Sequence, residues 1–251
     1  MNPLNKLFLQ MFRFLSILAL IVAPISWSGT YQSPLVPSQI VYSASYNGLP
    51  IKVIRELKSA DGRSFSVTST AENILGRIEE SGTFQLAEDK SLENRQYVYQ
   101  RNVFGNQKKE QLTFDYEDNF AIYQSDDKRR KVVLDKPYHS RMSYQVQLQW
   151  DLINGRETFS YPVIVRGRTK TYVFEKAGEE VLKTPLGPIK TIKMRRDRED
   201  SERETVLWLA PELDYLLVKL WQREDDEDFQ INLEHGTING EKLAKLLSNK
   251  R

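Results

Sequence analysis

From Ile40 onward, apolar side chains fall on alternate positions and polar ones fill the gaps. Ile40, Tyr42, Ala44 and Tyr46 share one parity; Ile51, Val53 and Leu57 share another after Asn47-Gly48. A period of two puts every second side chain on one face of an extended chain, which predicts strands. Asn-Gly between two such runs supplies the positive-φ positions of a tight hairpin. Phe65, Val67 and Ala71 follow Asp61-Gly62, and the series continues through Phe84 and Leu86, then Tyr97, Tyr99 and Val103, then Leu112, Phe114 and Tyr116. Gly105-Asn106, Asp118-Asn119, Asp126-Asp127, Gly167 and Gly178 punctuate it as turns. The second half keeps the style, with Phe159 to Val165, Tyr172 and Phe174, Val206 to Ala210, and Phe229 to Leu233. Leu216 to Trp221 is apolar on nearly both parities, as expected of a strand covered on both faces. About a dozen short strands with close turns predict a mainly β fold: an antiparallel curved sheet or an open or closed β-barrel. No fixed-period repeat and no linker interrupts residues 39–251, which predicts a single β-rich domain.

Residues 140–153 depart from this style. Met142, Tyr144, Val146, Leu148, Trp150 and Leu152 alternate with polar residues, a strand-like period. Composition argues the other way. Among those six only Val146 is β-branched, Ser140 can cap, and Asn154-Gly155 can stop a helix. Wound as a helix, Met142, Val146, Trp150 and Ile153 make one apolar face, while Tyr144, Leu148 and Leu152 make a nearly opposite one. Such a helix must lie between two layers, against the concave side of a curved sheet. The six even-numbered residues are therefore the expected plug of the barrel or the lining of an apolar cavity. A short C-terminal helix is expected after Asn239-Gly240, with Leu243, Leu246 and Leu247 on one side.

The N-terminus carries a different message. Lys6 and Arg13 precede the apolar run Phe14 to Ala23, which Pro24 closes; Ser26 and Ser28 then place small side chains before Gly29. That order reads as a signal peptide over residues 1–28, cut between Ser28 and Gly29. The apolar run falls short of the roughly 20 residues that span a bilayer, so no stable transmembrane segment is expected after cleavage. Residues 29–38, with Pro34 and Pro37, read as a flexible lead-in.

Composition narrows the chemistry. The absence of Cys excludes disulfides, cysteine nucleophiles and thiolate metal sites, and two His leave little for proton relays. Removing Lys6 and Arg13 from 36 basic residues leaves a mature chain balanced against its 34 acidic ones. Nucleic acid, which demands a strong positive field, is not an expected partner. Asp135, His139 and Ser140 hold the residue types of a hydrolase triad, but neighbouring side chains of an extended segment point apart and no nucleophile elbow is present. Glu224 to Asp228 offers oxygen ligands without the glycine turn of a calcium loop, and reads as a solvated hairpin tip. Lys128 to Lys131 and Lys193 to Arg198 are basic patches that could touch anionic lipid or guard exposed edge strands. No catalytic, cofactor or metal residues are assigned.

Three stretches carry a resemblance: Ser140 to Leu148 (SRMSYQVQL), Thr184 to Thr191 (TPLGPIKT) and Trp208 to Lys219 (WLAPELDYLLVK). With the opening hairpin near Tyr46 and the signal peptide, the chain resembles the bacterial exported family called domain of unknown function 3108. Leu217 stands where that family often has Pro. The resemblance implies a periplasmic β-rich domain akin to the open barrels of lipoprotein carriers, with no established activity. Two functions are expected from it and from the pattern. One is a binding or carrier module for an apolar ligand such as a lipid acyl chain, held in a curved-sheet cavity. The other is a non-catalytic structural or interaction protein of the envelope with a filled barrel. The expected partner is a lipid or an envelope protein.

Overall fold

The computed structural model describes residues 35–249 apart from 47–48, 88–90, 198–203 and 225–226. The expected signal peptide, with Ser26, Ser28 and Gly29, lies outside the described residues. Alternation becomes a run of hairpins: β1 (Ser38–Tyr46), β2 (Leu49–Ser59), β3 (Ser64–Asn73), β4 (Gly76–Leu86), β5 (Leu92–Val103), β6 (Asn106–Asp115), β7 (Phe120–Ser125) and β8 (Lys128–Val133). Helix α1 (Ser143–Ile153) follows. The chain then returns through β9 (Phe159–Val165), β10 (Arg168–Thr184), β11 (Gly187–Asp197), β12 (Glu204–Ala210), β13 (Leu216–Glu224), β14 (Glu227–Ile238) and β15 (Glu241–Lys242), ending in α2 (Leu243–Ser248).

These strands form one 15-stranded sheet, ordered β8-β7-β6-β5-β4-β3-β2-β1-β14-β13-β12-β11-β10-β9, with β15 on β14. Every ladder is antiparallel, as short turns require. The first strand lies mid-sheet and the last long strand returns beside it, with Ser38 opposite Ile238. The two outer strands, β8 and β9, are consecutive in the chain and do not pair with each other. The connecting segment bridges them: His139 N–H donates to Pro162 O (2.8 Å), and Ile164 N–H donates to His139 O (2.9 Å). Arg130 Nη1 also donates to Arg166 O at 3.4 Å across the same seam. The sheet is curved and barrel-like but is not closed by strand pairing.

The fold is richer in strands than the expected dozen. Strands β8 and β11 escape the pattern because their polar positions carry long charged side chains, as in Lys128-Arg129-Arg130-Lys131, and β7 because Phe120, Ala121, Ile122 and Tyr123 follow one another without alternation. Gly178 makes no turn; it sits at φ 106° in a bulge between Lys176 and Glu179, and β10 runs on to Thr184. Lys193 to Arg196 lie on β11, inside the sheet order rather than at its edge, where Glu180 faces Lys193 at 3.7 Å and Glu175 faces Arg195 at 3.6 Å. The lead-in is docked at its described end. Leu35 is 3% exposed within the core, and Asn239 N–H donates to Pro37 O at 2.7 Å. An apolar side chain there gains more by joining the core than the tether gains in freedom.

Three buried clusters fill the interior. One joins Phe65, Val67, Phe84, Leu112 and Phe114 to Met142, Val146 and Trp150 of α1. A second joins Phe159, Tyr161, Val163, Phe174 and Met194 to Leu148 and Leu152 of the same helix. The third collects Ile40, Tyr42, Ile189, Val218 and Leu233 beneath Leu243 and Leu247 of α2. Strand β13 is covered on both faces as expected: Leu216 and Val218 enter the third cluster and Leu220 packs on the second.

Candidate functional site: the interior helix, the seam and the rim

Helix α1 is fixed at both ends by its own sequence. Ser140 Oγ accepts the N–H groups of Met142 (3.3 Å) and Ser143 (3.1 Å), and Ser143 Oγ accepts Ser140 N–H at 2.9 Å. This is a reciprocal cap in which Ser143 takes the place usually held by Glu. At the other end, Gly155 at φ 71° sends its N–H to Leu152 O (3.1 Å), and Arg156 sends its N–H to Asp151 O (2.9 Å). Both bonds belong to a Schellman stop, which favours Gly at that position. Between them the two apolar faces read from the sequence are both buried. Met142, Val146, Leu148, Trp150 and Leu152 are each 4% exposed or less. Tyr144 is partly covered by Tyr172 (ring centroids 5.0 Å) and Phe174 (6.0 Å). Both faces of the helix are thus packed against the wall of the sheet.

Polar contacts lock the plug to the wall. Asp151, 2% exposed, accepts from Gln147 Nε2 and Tyr161 OH, both at 2.9 Å, and faces Arg156 Nε at 3.4 Å. Gln147 Oε1 in turn accepts Leu92 N–H at 3.1 Å, and Asn94 Nδ2 donates to Tyr138 O at 2.8 Å. Burial, reinforced by the Asp151 carboxylate, holds the Tyr161 phenol well above the usual range. Arg141 meets Glu80 at 3.2 Å, and Arg55 Nη1 donates to Gln145 Oε1 at 3.0 Å. Beside this stripe runs a cleft of about 40 Å³ lined by Ile40, Arg55, Val67, Val146, Gln149 and Leu213, among others. That holds a few waters.

The residues of the would-be triad are employed separately. Asp135 Oδ1 accepts the Tyr138 hydroxyl at 2.9 Å, while Ser140 caps α1. His139 is 6% exposed, lies edge-on to Tyr161 (ring centroids 5.7 Å), and leaves Nδ1 with no hydrogen-bond partner. Burial pushes its imidazole down to about 4. No hydrogen bond joins the three side chains to one another. In the acidic run, Asp228 takes a two-point contact from Arg223 (2.9 and 3.3 Å), while Asp225 and Asp226 fall outside the described residues. Among the described residues no group of three His or acidic side chains could hold a metal ion. Nor is any described helix long and apolar enough to cross a membrane. The basic patches are largely engaged: Lys131 lies 3.8 Å from the Phe120 ring centroid, and Arg196 lies 3.2 Å from that of Tyr172.

Sequence reasoning missed the rim. The described turns β3–β4, β5–β6 and β7–β8 lie at one end of the meander. Between the first two lies a shallow hollow of about 630 Å³ walled by Lys52, Leu75, Arg77 and Phe104 among others. Ile74 is 91% and Phe104 78% exposed, and Phe104 holds φ 52°. The signal was present in the letters. Asn73-Ile74-Leu75-Gly76 and Val103-Phe104-Gly105-Asn106 put large apolar residues where hairpin turns favour Asn, Asp or Gly.

A family model described as "Protein of unknown function (DUF3108)" matches residues 41–234. Among curated proteins none matches this chain. A solved structure that resembles it is that of a "Beta-barrel-like Protein of Domain of Unknown Function DUF1849" from Brucella abortus. Its TM-score is 0.56 at 10% identity, over 81% of this chain and 98% of that one. At that identity the likeness speaks for the fold alone.

Proposed function

The chain belongs to the DUF3108 family of proteins of unknown function, and we propose that it is an exported, non-catalytic interaction module of the cell envelope whose barrel is filled by its own helix. One observation carries this reading over that of an acyl-chain carrier. Pockets for small ligands run to roughly 300–1,000 Å³, whereas the cleft beside α1 measures about 40 Å³ and both apolar faces of the helix are spent on the wall. The bonds of Gln147 and Asp151 tether the plug from within, which supports a permanent filling rather than a lid. Export rests on the segment 1–28. A module that works by its surface needs no catalytic constellation, in keeping with the dispersal of Asp135, His139 and Ser140.

Native mass spectrometry of the protein recovered from the periplasm of its own host tests both parts. The expected result is the bare mass of a chain beginning at Gly29 or within a few residues. Co-migrating lipid mass would restore the carrier reading, and recovery only as an intact Met1 chain in the cytoplasm would refute export.

A further inference from the structure

We propose that the rim of hairpin tips docks on an anionic lipid surface, inserting Ile74 and Phe104 between headgroups. This goes beyond the filled-barrel reading and does not depend on it. The meander places the β3–β4 and β5–β6 turns side by side, next to the start of β2, and exposed apolar side chains stand at all three: Leu49 of β2 at 36%, Ile74 at 91% and Phe104 at 78%. The last two tips are zipped together. Phe104 N–H donates to Leu75 O at 3.0 Å, Asn73 Oδ1 accepts Leu75 N–H at 2.9 Å, and a side chain at Gly76 would strike the Asn102 carbonyl oxygen. Ile74 and Phe104 are thus presented on one braced platform.

Phe104 is the telling residue. Its φ of 52° is a left-handed conformation that suits Asn or Gly and is unfavourable for a bulky side chain. A large aromatic ring in a costly backbone state, with no core to reward it, marks a site held for use.

Charge selects the surface. Lys52, Arg77, Arg101, Lys108 and Lys109 stand just behind these tips, and Lys128, Arg129 and Arg130 lie beside them on β8. The carboxylates at this end are fewer. Glu72 and Glu79 pair with Arg77 (3.4 and 2.6 Å), buried Glu110 with Lys108 (2.6 Å), and Asp127 with Lys128 (3.8 Å), while Asp126 shares the last turn. Exposed Lys52 and Lys109 have no carboxylate within ion-pair distance among the described residues. The opposite end of the same strands shows the reverse balance in its described turns and adjoining strand ends, with Glu56, Asp61, Glu93, Asp115, Glu117 and Asp118 against Lys58, Arg63 and Arg95. Apolar points backed by cations at one end, and acids at the other, fit a chain that stands on an anionic bilayer. Each cation near such a surface raises binding about fivefold, and buried apolar groups add to it.

The chain contains no Cys, so a single Asn106→Cys or Asp118→Cys carries a polarity-sensitive dye at one end or the other. With vesicles of phosphatidylcholine containing phosphatidylglycerol, the label at position 106 is expected to shift to the blue and the label at 118 to stay put. Vesicles of phosphatidylcholine alone should bind at least tenfold more weakly. Added to the position-106 variant, Ile74→Asn with Phe104→Asn should cut affinity for the mixed vesicles at least tenfold without lowering the melting temperature, since Asn suits the left-handed position at 104 and Ile74 is 91% exposed. Residues 14–23, where retained, would bring the whole chain to lipid and could not discriminate between the labels. Silence at 106, equal shifts at both ends, or unchanged binding of the double Asn variant would each overturn the proposal. A shift produced only by lipid-free envelope extract would assign the rim to a protein instead.

Discussion

Trp150→Ala is expected to cost about 3–5 kcal/mol of folding stability and Leu148→Ala about 2–5, although the two side chains enter different clusters. On an ordinary amphipathic helix, residues two apart point away from each other, and one of the pair is cheap to truncate. Here Trp150 is 1% exposed against β3–β7, while Leu148 is 2% exposed against β9–β12. Truncation leaves a cavity on either side, because the hydrogen bonds of Gln147 and Asp151 keep the helix from settling into it. With few shared partners, the two losses should come close to adding. The double variant would then lose most of a typical domain's 5–15 kcal/mol. Urea unfolding monitored by circular dichroism measures each midpoint. Val181→Ala, at a side chain 58% exposed, serves as the control and should stay within about 0.5 kcal/mol of wild type. If both core variants unfold at the wild-type midpoint, the helix is peripheral to the fold. If only one does, it has a single buried face.

Acid is expected to open the seam through His139. Its imidazole titrates near 4 in the folded chain and near 6.5 when unfolded, burial being the cause. Between those values the unfolded chain binds a proton that the folded one refuses, so stability rises with pH across that window. The contribution is fully present above pH 6.5 and is lost as pH falls toward 4. A loss of roughly 3 kcal/mol follows from 1.36 kcal/mol per unit. A proton added at the unpartnered Nδ1 would find no acceptor. The measurement is unfolding free energy against pH for wild type and for His139→Gln, which stays neutral throughout. The variant should show a flatter profile between pH 6.5 and 4.5, whatever its absolute stability. Equal slopes in the two proteins would remove His139 as the sensor. Because the His139 backbone joins β9 through Pro162 and Ile164, the protection of the Ile164 amide, its exchange rate relative to the intrinsic rate at each pH, should fall first as the pH drops.

Period-two alternation made the strands legible wherever one face was buried, as at Ile40, Tyr42 and Ala44. Over the helix the same alternation points to a strand, and the helix is legible only through composition and through Ser140 and Asn154-Gly155, which supply chemistry that a strand does not need. The letters were silent where burial did not govern. Strand β8 earns its place by pairing with β7, not by hiding side chains, and Gly178 keeps a strand going where glycine usually ends one. Nothing in the order of residues said that β14 lies beside β1. That neighbour choice is set by how two curled halves share α1 and α2. The rim is hidden for a different reason: Gly76 and Gly105 read as turn punctuation, and the exposure of the large residues next to them, Ile74 and Phe104, depends on how the hairpins stack. The carrier expectation needed a volume, which no pattern of letters contains.

The pairing of β1 with β14 also sets an order of assembly. Strands β1 to β8 are joined by short turns and can zip locally, whereas Ser38 meets Ile238 only after almost the whole chain is available. Contacts so distant in sequence form slowly, because the loop must close before they are rewarded. Until then the free edge of β1 is an open template for other chains. The joint, once made, is tight: at Gly236 even a Cβ would strike the Gln39 carbonyl and Ile40. A newly made chain therefore passes through a stage in which its first strand must be shielded, and holdase chaperones are expected to engage it there and release it when β14 arrives.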